Sequence, residues 1–387
     1  NGAEDTPLFD STAITAATED TLYSYSIATS DVDIETVAIT APTLPAWLTL
    51  VDNGNGTATL SGTPTNAEVG DHNVVLNVSD GSVSSNQNFT ITVGNTNDAA
   101  VIAGVDTGSV QEDVAVVADN ISTSGLLTIT DVDVGESTFQ AGTVNGAYGD
   151  LTIDTAGNWT YTADNTQTAI QQLDLGESIT DTLVVTSFDG TTHNVVITIN
   201  GSDDAAVIGG TTTGSVTEDG TLTTSAALTI TDIDTSDPTD FVDVATTTSD
   251  NGYGTFEMTS NNWTFVLDND HAAVQALDVG ETLNDTFTFT APDGVTQEVT
   301  VTINGAEDTP LFDSTAITTA TEDSLYSYSI ATSDVDIETV AITAPTLPAW
   351  LTLVDNGNGT ATLSGTPTNA EVGNHNVVLN VSDGSVS

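Results

Sequence analysis

Asn73-Val-Val-Leu-Asn-Val-Ser-Asp80-Gly81 and, a few residues on, Asn88-Phe-Thr-Ile-Thr-Val93 place apolar residues at every second position on either side of an Asp-Gly corner. A period of two belongs to a half-buried strand, and Asp-Gly tolerates the positive φ of a tight turn. The same alternation returns in Asn194-Val-Val-Ile-Thr-Ile-Asn200 and Thr286-Phe-Thr-Phe-Thr290, with further corners at Asn53-Gly54-Asn55-Gly56, Asn145-Gly146, Asp189-Gly190, Asn251-Gly252 and Asp293-Gly294. Helical candidates are short, Asn165 to Leu173 and Asp270 to Leu277. Roughly seven short strands per 100 residues, without βαβ alternation, predict an all-β chain of antiparallel Greek-key β-sandwiches.

The sandwiches are in tandem. Residues 304–387 repeat residues 1–84 at an offset of 303 with three differences, Ala16/Thr319, Thr21/Ser324 and Asp71/Asn374. Between the copies, two segments open on Asp98-Ala-Ala-Val-Ile and Asp204-Ala-Ala-Val-Ile and share Gly-Ser-Val-x-Glu-Asp, Leu-Thr-Ile-Thr-Asp-x-Asp, Leu-Asp-x-Gly-Glu and Thr-Ile-Asn-Gly. The expected order is A (1–97), B (98–203), C (204–307) and A′ (308–387), the last stopping short of a counterpart to Asn88 through Val93. Strands of about ten residues make each sandwich roughly 35–45 Å long, so four end to end predict a rod of roughly 150 Å.

The 387 residues include 56 Asp and Glu but no Lys or Arg, a formal charge of −56. Nucleic acid is excluded as a partner and an anionic membrane surface is disfavoured, because binding phosphate needs basic side chains. No apolar run is long enough for a membrane span, and no leader peptide is recognisable. With 38% hydrophobic residues in regular alternation the chain reads as folded, and without Cys its crosslinks have to come from elsewhere.

The acids recur in register at four places. The first is a Glu-Asp pair after the opening strand: Glu19-Asp20, Glu112-Asp113, Glu218-Asp219 and Glu322-Asp323. The second is Asp-x-Asp at a strand end: Asp31/Asp33, Asp131/Asp133, Asp232/Asp234 and Asp334/Asp336. The third is the Asp-Gly corner: Asp80, Asp189, Asp293 and Asp383. The fourth is the linker: Glu4-Asp5, Asn97-Asp98, Asp203-Asp204 and Glu307-Asp308. Alternation along a strand predicts that the two carboxylates of Asp-x-Asp share a side. Two such charges repel by about 1 kcal/mol at 4 Å even in water. A hard divalent cation reverses that sign, and calcium, with six to eight oxygens in tolerant geometry, suits the set better than magnesium. The competing reading, an acidic surface suited to salt, does not explain recurrence in register.

These residues carry a resemblance. A and A′ resemble the dystroglycan-type cadherin-like domain, also described as a bacterial Ig-like domain, through Thr-Glu19-Asp20, Asp31-Val-Asp33, Leu44-Pro-Ala-Trp47-Leu, Leu60-Ser-Gly-Thr-Pro64 and Asn95-Thr-Asn-Asp98. B and C resemble the VCBS repeat of large bacterial surface proteins through Gly146-Ala-Tyr148-Gly149-Asp-Leu, Gly157-Asn-Trp159-Thr-Tyr161 and Leu173-Asp-Leu-Gly176-Glu, with counterparts at Gly252-Tyr253-Gly254, Asn262-Trp263-Thr-Phe265 and Leu277-Asp-Val-Gly280-Glu. Such arrays are similar to the extender regions of RTX adhesins. The resemblance implies Ig/cadherin-like sandwiches and calcium between consecutive domains. By that analogy A/B would use Glu19, Asp20, Asn97, Asp98, Asp131, Asp133 and Asp189; B/C would use Glu112, Asp113, Asp203, Asp204, Asp232, Asp234 and Asp293; C/A′ would use Glu218, Asp219, Glu307, Asp308, Asp334, Asp336 and Asp383. The Leu-Asp-Arg-Glu ligand motif of cadherins and the nonapeptide of RTX β-rolls are both absent from the sequence.

Other motifs carry less. Asp106-Thr-Gly-Ser109 resembles an aspartic-protease loop, but no second Asp-Thr-Gly completes a dyad. His72, His193, His271 and His375 show neither zinc spacing nor a nucleophile beside them. Trp47, Trp159, Trp263 and Trp350 each hold a fixed place among alternating apolar residues, which favours rings packed between sheets over sugar-stacking platforms. The reading is therefore not an enzyme but a calcium-rigidified stalk of a bacterial cell-surface or secreted adhesin, extracellular and serving cell adhesion and biofilm. Its expected partners are calcium ions and neighbouring repeats. Lateral assembly of copies into a filament or surface layer, or direct polysaccharide binding, are the alternatives.

Overall fold

The computed structural model describes residues 5–33, 36–336 and 340–384; Glu4 lies outside them. Two compact units divide between Ser202 and Asp203, and each contains two β-sandwiches with separate apolar cores.

In the first unit, the leading sandwich sets the sheet Leu8–Phe9, Tyr23–Ser30, Thr57–Gly62, Thr49–Asp52 against the sheet Ala16–Thr18, Ser84–Gly94, Gly70–Ser79, Ala38–Thr43. Tyr23, Tyr25 and Ile27 are buried while the residues between them are exposed, which is the alternation that makes this segment a strand with one wet face. The second sandwich sets Thr107–Gln111, Thr192–Asn200, Ser178–Thr186 against Gly142–Asn145, Gly149–Ile153, Asn158–Asp164, Asn120–Thr130, Val101–Gly104. Trp159 and Tyr161 fill its core, and the Trp159 indole N–H donates to the Val105 carbonyl at 2.8 Å. The second unit repeats both plans. Trp263 donates to Thr211 at 2.7 Å in its leading sandwich, while the trailing one keeps the sheet Leu311–Phe312, Tyr326–Ser333, Thr360–Gly365, Thr352–Asp355 beside the pair Ala341–Thr346 and Val378–Ser382.

The expected all-β architecture of antiparallel sandwiches is observed, with one addition. Three sandwiches contain one parallel pair: Ala16–Thr18 with Ser84–Gly94, Thr107–Gln111 with Thr192–Asn200, and Thr213–Thr217 with Thr296–Asn304. In each, the opening stretch pairs in one sheet and then crosses to the other. In B and C the crossing needs glycine. Gly104 and Gly210 stand at φ +108° and +99°, and a Cβ there would lie 2.6 Å from the Leu126 carbonyl oxygen and 2.4 Å from that of Ala227. Of the two short helical candidates, a turn or two at most, the one in B gives a single turn, Thr168–Gln171, and in C the counterpart segment is turns alone.

Candidate metal centres at the linkers

Each Asp-x-Asp lies just after a strand, which ends at Ser30, Thr130, Thr231 or Ser333. The first Asp folds back to accept the N–H of the second: Asp31 from Asp33 at 3.0 Å, Asp131 from Asp133 at 2.9 Å, Asp232 from Asp234 at 3.1 Å and Asp334 from Asp336 at 3.3 Å. A short Asp side chain competes well for the N–H two residues on. A turn, not strand alternation, therefore sets the two carboxylates. The second Asp accepts the backbone N–H of the linker, Asp33 from Asp5 and Asp133 from Asp98 at 2.8 Å, Asp234 from Asp204 and Asp336 from Asp308 at 2.7 Å. The corner Asp ties down the residue two further on: Asp189 accepts from Ala100 at 3.0 Å and Asp293 from Ala206 at 2.9 Å. Hydroxyls of Ser187 and Thr191 hold the Asp189 carboxyl well below the usual carboxylate range.

The Glu of each Glu-Asp pair clamps the other side of the same linker. Glu19 accepts from Thr96 N–H, Glu112 from Ser202 at 2.6 Å and Glu218 from Ala306 at 2.9 Å. All three are at most 1% exposed. In the first unit, one carboxylate oxygen from each of Glu19, Asp98 and Asp133 lies within 4.8 Å of the others. Glu19 Oε2 and Asp131 Oδ2 are buried with no hydrogen-bond partner among the described residues. Near a protein surface such pairs repel by about 4 kcal/mol at 4 Å, so this arrangement asks for a cation that the side chains cannot supply.

In the second unit, oxygens of Asp278, Glu307 and Asp336 meet in the same way, as do those of Asp203, Asp234 and Asp237. Burial raises Glu218 to about 7, with Asp308 and Asp336 adding to the rise. Burial, then Asp336 and Asp219, raises Asp308 to about 6. Groups raised in the folded state stabilise it below their unfolded values, about 4. In chelator the second unit is therefore expected to lose stability as pH rises from about 4 through 7. Calcium binding near pH 6.5 should release protons, since a bound ion requires ionised carboxylates. Calorimetry in buffers of differing ionisation enthalpy measures that release; binding heat independent of the buffer would count against it.

Asp20, Asp113, Asp219 and Asp323 take left-handed backbone, φ 53–57°. Asp113 accepts from Asn165 at 2.6 Å and Gln171 at 3.2 Å of its own sandwich. Asp219 binds Asn269 at 2.6 Å yet also meets Asp308. The Asn97 side-chain amide donates to the Asp98 carbonyl, at 3.2 Å. Asp383 acts on Asp336 through its charge, and Asp334 Oδ2, like Asp232 Oδ2, is buried without a partner among the described residues. Sequence reasoning missed Asn66, whose amide donates to Asp133 at 2.6 Å, and the acids Glu136, Asp237 and Asp278. Asp278 had a signal. It belongs to the repeated Leu-Asp-x-Gly-Glu, and Gly305 packs so tightly on this loop that a Cβ would sit 2.3 Å from the Asp278 carbonyl oxygen.

The donor set is carboxylate oxygen throughout, with no His or Cys in these clusters of described residues. That chemistry suits calcium or magnesium and not zinc. Residues 97–201 and 203–305, more than half of the chain, match the family model of the bacterial cadherin-like domain. The chain belongs to that family. Residues 6–94 and 309–387 of this bacterial cadherin-like chain match the model described as "Putative Ig domain". The cadherin-like match thus covers the two segments whose motifs resemble the VCBS repeat, and the Ig match covers the two near-identical copies. No curated protein matches. Among solved structures, the chain is similar to the protocadherin gammaB7 EC3-6 cis-dimer structure (14% identity, 97% of this chain and 95% of that chain, TM-score 0.47). It is also similar to protocadherin gamma B2 extracellular cadherin domains 1–5 (16%, 98% and 80%, 0.48) and titin domains I67–I69 (9%, 77% and 98%, 0.32). Cadherin-like and Ig-like domains in tandem point to an extracellular, adhesion-type stalk, and neither matched family model describes an enzyme. No described helix is long and apolar enough to cross a membrane.

Proposed function

We propose that this bacterial cadherin-like chain is a calcium-rigidified extender of a cell-surface or secreted adhesin of the RTX type, built from sandwiches 1–97, 98–203, 204–307 and 308–387 and projecting a binding tip in cell adhesion and biofilm. The observation that carries the reading is Glu19: a carboxylate 1% exposed, one oxygen without a partner, facing Asp98 and Asp133 in a chain with no Lys or Arg. Glu218, equally buried beside Asp308 and Asp336, repeats it. At the first linker Glu19, Asp98, Asp131 and Asp133 would hold the ion. At the last linker Glu218, Asp278, Glu307, Asp308 and Asp336 would do so, with Asp334 placing Asp336. Calcium supplies the positive charge that lets these groups, drawn from two sandwiches and the strip between them, share one site. With the site filled, bending the linker would separate an ion from its ligands. Without it, bending relieves repulsion.

Small-angle scattering tests this. Millimolar calcium should give the larger maximum dimension and chelator a broader, more bent ensemble, with magnesium a poor substitute. Superimposable profiles would sink the proposal. Sedimentation in the same buffers separates a monomeric extender from a filament subunit, which would grow in mass with calcium.

A further inference from the structure

Asparagine followed by glycine is open to loss of its side-chain amide, because glycine has no Cβ to keep its nitrogen away from the Asn carbonyl carbon. Among the described residues the pair occurs at eight places, Asn53, Asn55, Asn145, Asn200, Asn251, Asn304, Asn356 and Asn358. The reaction needs a glycine N–H free to lose its proton and an Asn amide nitrogen free to leave. In six of the eight, hydrogen bonds oppose it. The N–H of Gly54 donates to the Asp52 carboxylate at 2.9 Å and that of Gly357 to Asp355 at 3.0 Å, so a negative charge on either nitrogen would face another. Those of Gly146, Gly201, Gly252 and Gly305 donate to backbone carbonyls at 2.8–3.2 Å. The departing nitrogen is held too at Asn53, Asn200, Asn251, Asn304 and Asn356, at 2.8–3.0 Å.

Asn55 and Asn358 differ on both counts. Neither the N–H of Gly56 and Gly359 nor the amide nitrogen of Asn55 and Asn358 donates to a described residue. Their side-chain oxygens are instead acceptors. Asn55 Oδ1 takes the Thr57 hydroxyl at 2.7 Å and the Thr57 N–H at 3.2 Å, and Asn358 Oδ1 takes the Thr360 hydroxyl at 2.6 Å. Each hydroxyl in turn accepts from the amide of Asn53 or Asn356 at 2.9 Å, which polarises its proton toward Oδ1. Donors therefore already sit on the oxygen that turns negative when Cγ becomes tetrahedral, the placement that stabilises an oxyanion.

We propose that Asn55 and Asn358 are a matched pair of self-modification sites, at which the turn of each Ig-type copy promotes deamidation to aspartate and isoaspartate. The Gly56 nitrogen gives its proton to a solvent base and bonds to Asn55 Cγ; the Cγ–Nδ2 bond breaks, and ammonia leaves with a proton taken from water. Water then opens the cyclic imide at Cγ to give Asp, or at the residue 55 backbone carbonyl to give isoaspartate, whose main chain is one methylene longer. One water is consumed, one ammonia is released, and nothing is oxidised. Gly359 acts on Asn358 in the same way. The change reaches beyond the turn. The Gly56 carbonyl accepts the Thr29 N–H at 3.0 Å and its hydroxyl at 2.9 Å, and the Gly359 carbonyl accepts those of Thr332 at 2.9 and 3.0 Å. Thr29 and Thr332 stand two residues before Asp31 and Asp334, so an isoaspartate lengthens the backbone against the strand end that leads into an Asp-x-Asp.

The test incubates the folded chain at mildly alkaline pH, cleaves it after Glu, and follows residues 36–68 and the identical residues 339–371 by mass spectrometry with fragmentation that separates isoaspartate from Asp. Asn55 and Asn358 should react about tenfold faster than Asn53 and Asn356 in the same peptides, the rate equivalent of about one hydrogen bond. Thr57→Val should slow Asn55 severalfold while the untouched Asn358 keeps its rate as an internal reference, and Thr57→Ser should restore it. In urea the preference should disappear. Equal rates at Asn53 and Asn55 in the folded chain, an unchanged rate at Asn55 in Thr57→Val, or a preference that persists in urea each overturn the proposal. The comparison of folded chain with urea uses the unaltered protein, so it decides the matter without the variant.

Discussion

Glu19→Gln is expected to move stability in opposite directions with and without calcium. Gln keeps an oxygen for the Thr96 N–H but removes the charge that faces Asp98 and Asp133. In chelator the melting temperature of the first unit should hold or rise, because one of three mutually repelling carboxylates is gone. In calcium the stabilisation should largely vanish. A ligand that binds only the folded state contributes RT ln(1 + [L]/Kd), about 2.7 kcal/mol at a hundredfold excess over Kd, or several degrees of melting temperature for a domain of this size. Glu218→Gln should do the same in the second unit and also remove the proton release near pH 6.5. A purely structural Glu would lose stability equally in both buffers. Full retention of the calcium shift in Glu19→Gln would show that Glu19 does not hold the ion. This variant is cleaner than replacing Asp131 or Asp133, whose carboxylates also hold the turn and the Asp98 and Asn66 donors without any ion.

Asp181→Ala is expected to be the most damaging single change in the second sandwich, although Asp181 has no place at a linker. It is 2% exposed, and its carboxylate accepts the N–H groups of Ala147 at 2.9 Å, Tyr148 at 3.0 Å and Gly149 at 3.1 Å and the Tyr161 hydroxyl at 3.0 Å. Burial alone would raise its pKa, but those four donors outweigh burial and the net direction is down. Removing the acceptor strands four donors at about 1–3 kcal/mol each, so a loss of at least about 4 kcal/mol is expected, enough to unfold a marginal domain. Denaturant melts read by Trp159 fluorescence would show it; a loss under about 1 kcal/mol would mean that water replaces the carboxylate. Because the folded pKa is depressed, this contribution is present above the unfolded value near 4 and fades as pH falls through the folded value. Asp285, whose carboxylate takes Asn251 and Tyr253 N–H at 3.0 Å, fills the same position in the third sandwich.

Asp181 also marks where sequence reading ran out. Alternation puts Asp181 on the same face as Ile179, Leu183 and Val185, but what satisfies it there is distant in sequence, three backbone donors more than thirty residues away and Tyr161 twenty. Asn66 and Glu136 went unnoticed for the same reason, since neither belongs to a motif shared by all four segments.

The linear chain by itself determined the strands, the tandem order and the register of the recurring acids. Alternation and turn chemistry are local, and a repeat is visible without any folding. Its lack of Lys and Arg also established that any cluster of carboxylates must be neutralised from outside. Only the tertiary structure decided which acids meet. Asp113 and Asp219 occupy matching places in a shared motif, and the fold brings to each an amide pair 50 or more residues on, Asn165 and Gln171 for Asp113, Asn269 and Gln275 for Asp219. The parallel pairing of Thr107–Gln111 with Thr192–Asn200 joins residues about ninety apart, and the Asp-x-Asp geometry follows from a side chain capturing a nearby N–H in place of continuing a strand. Contacts distant in sequence, and local competition between side chain and backbone for one hydrogen bond, are settled by what the rest of the fold leaves available.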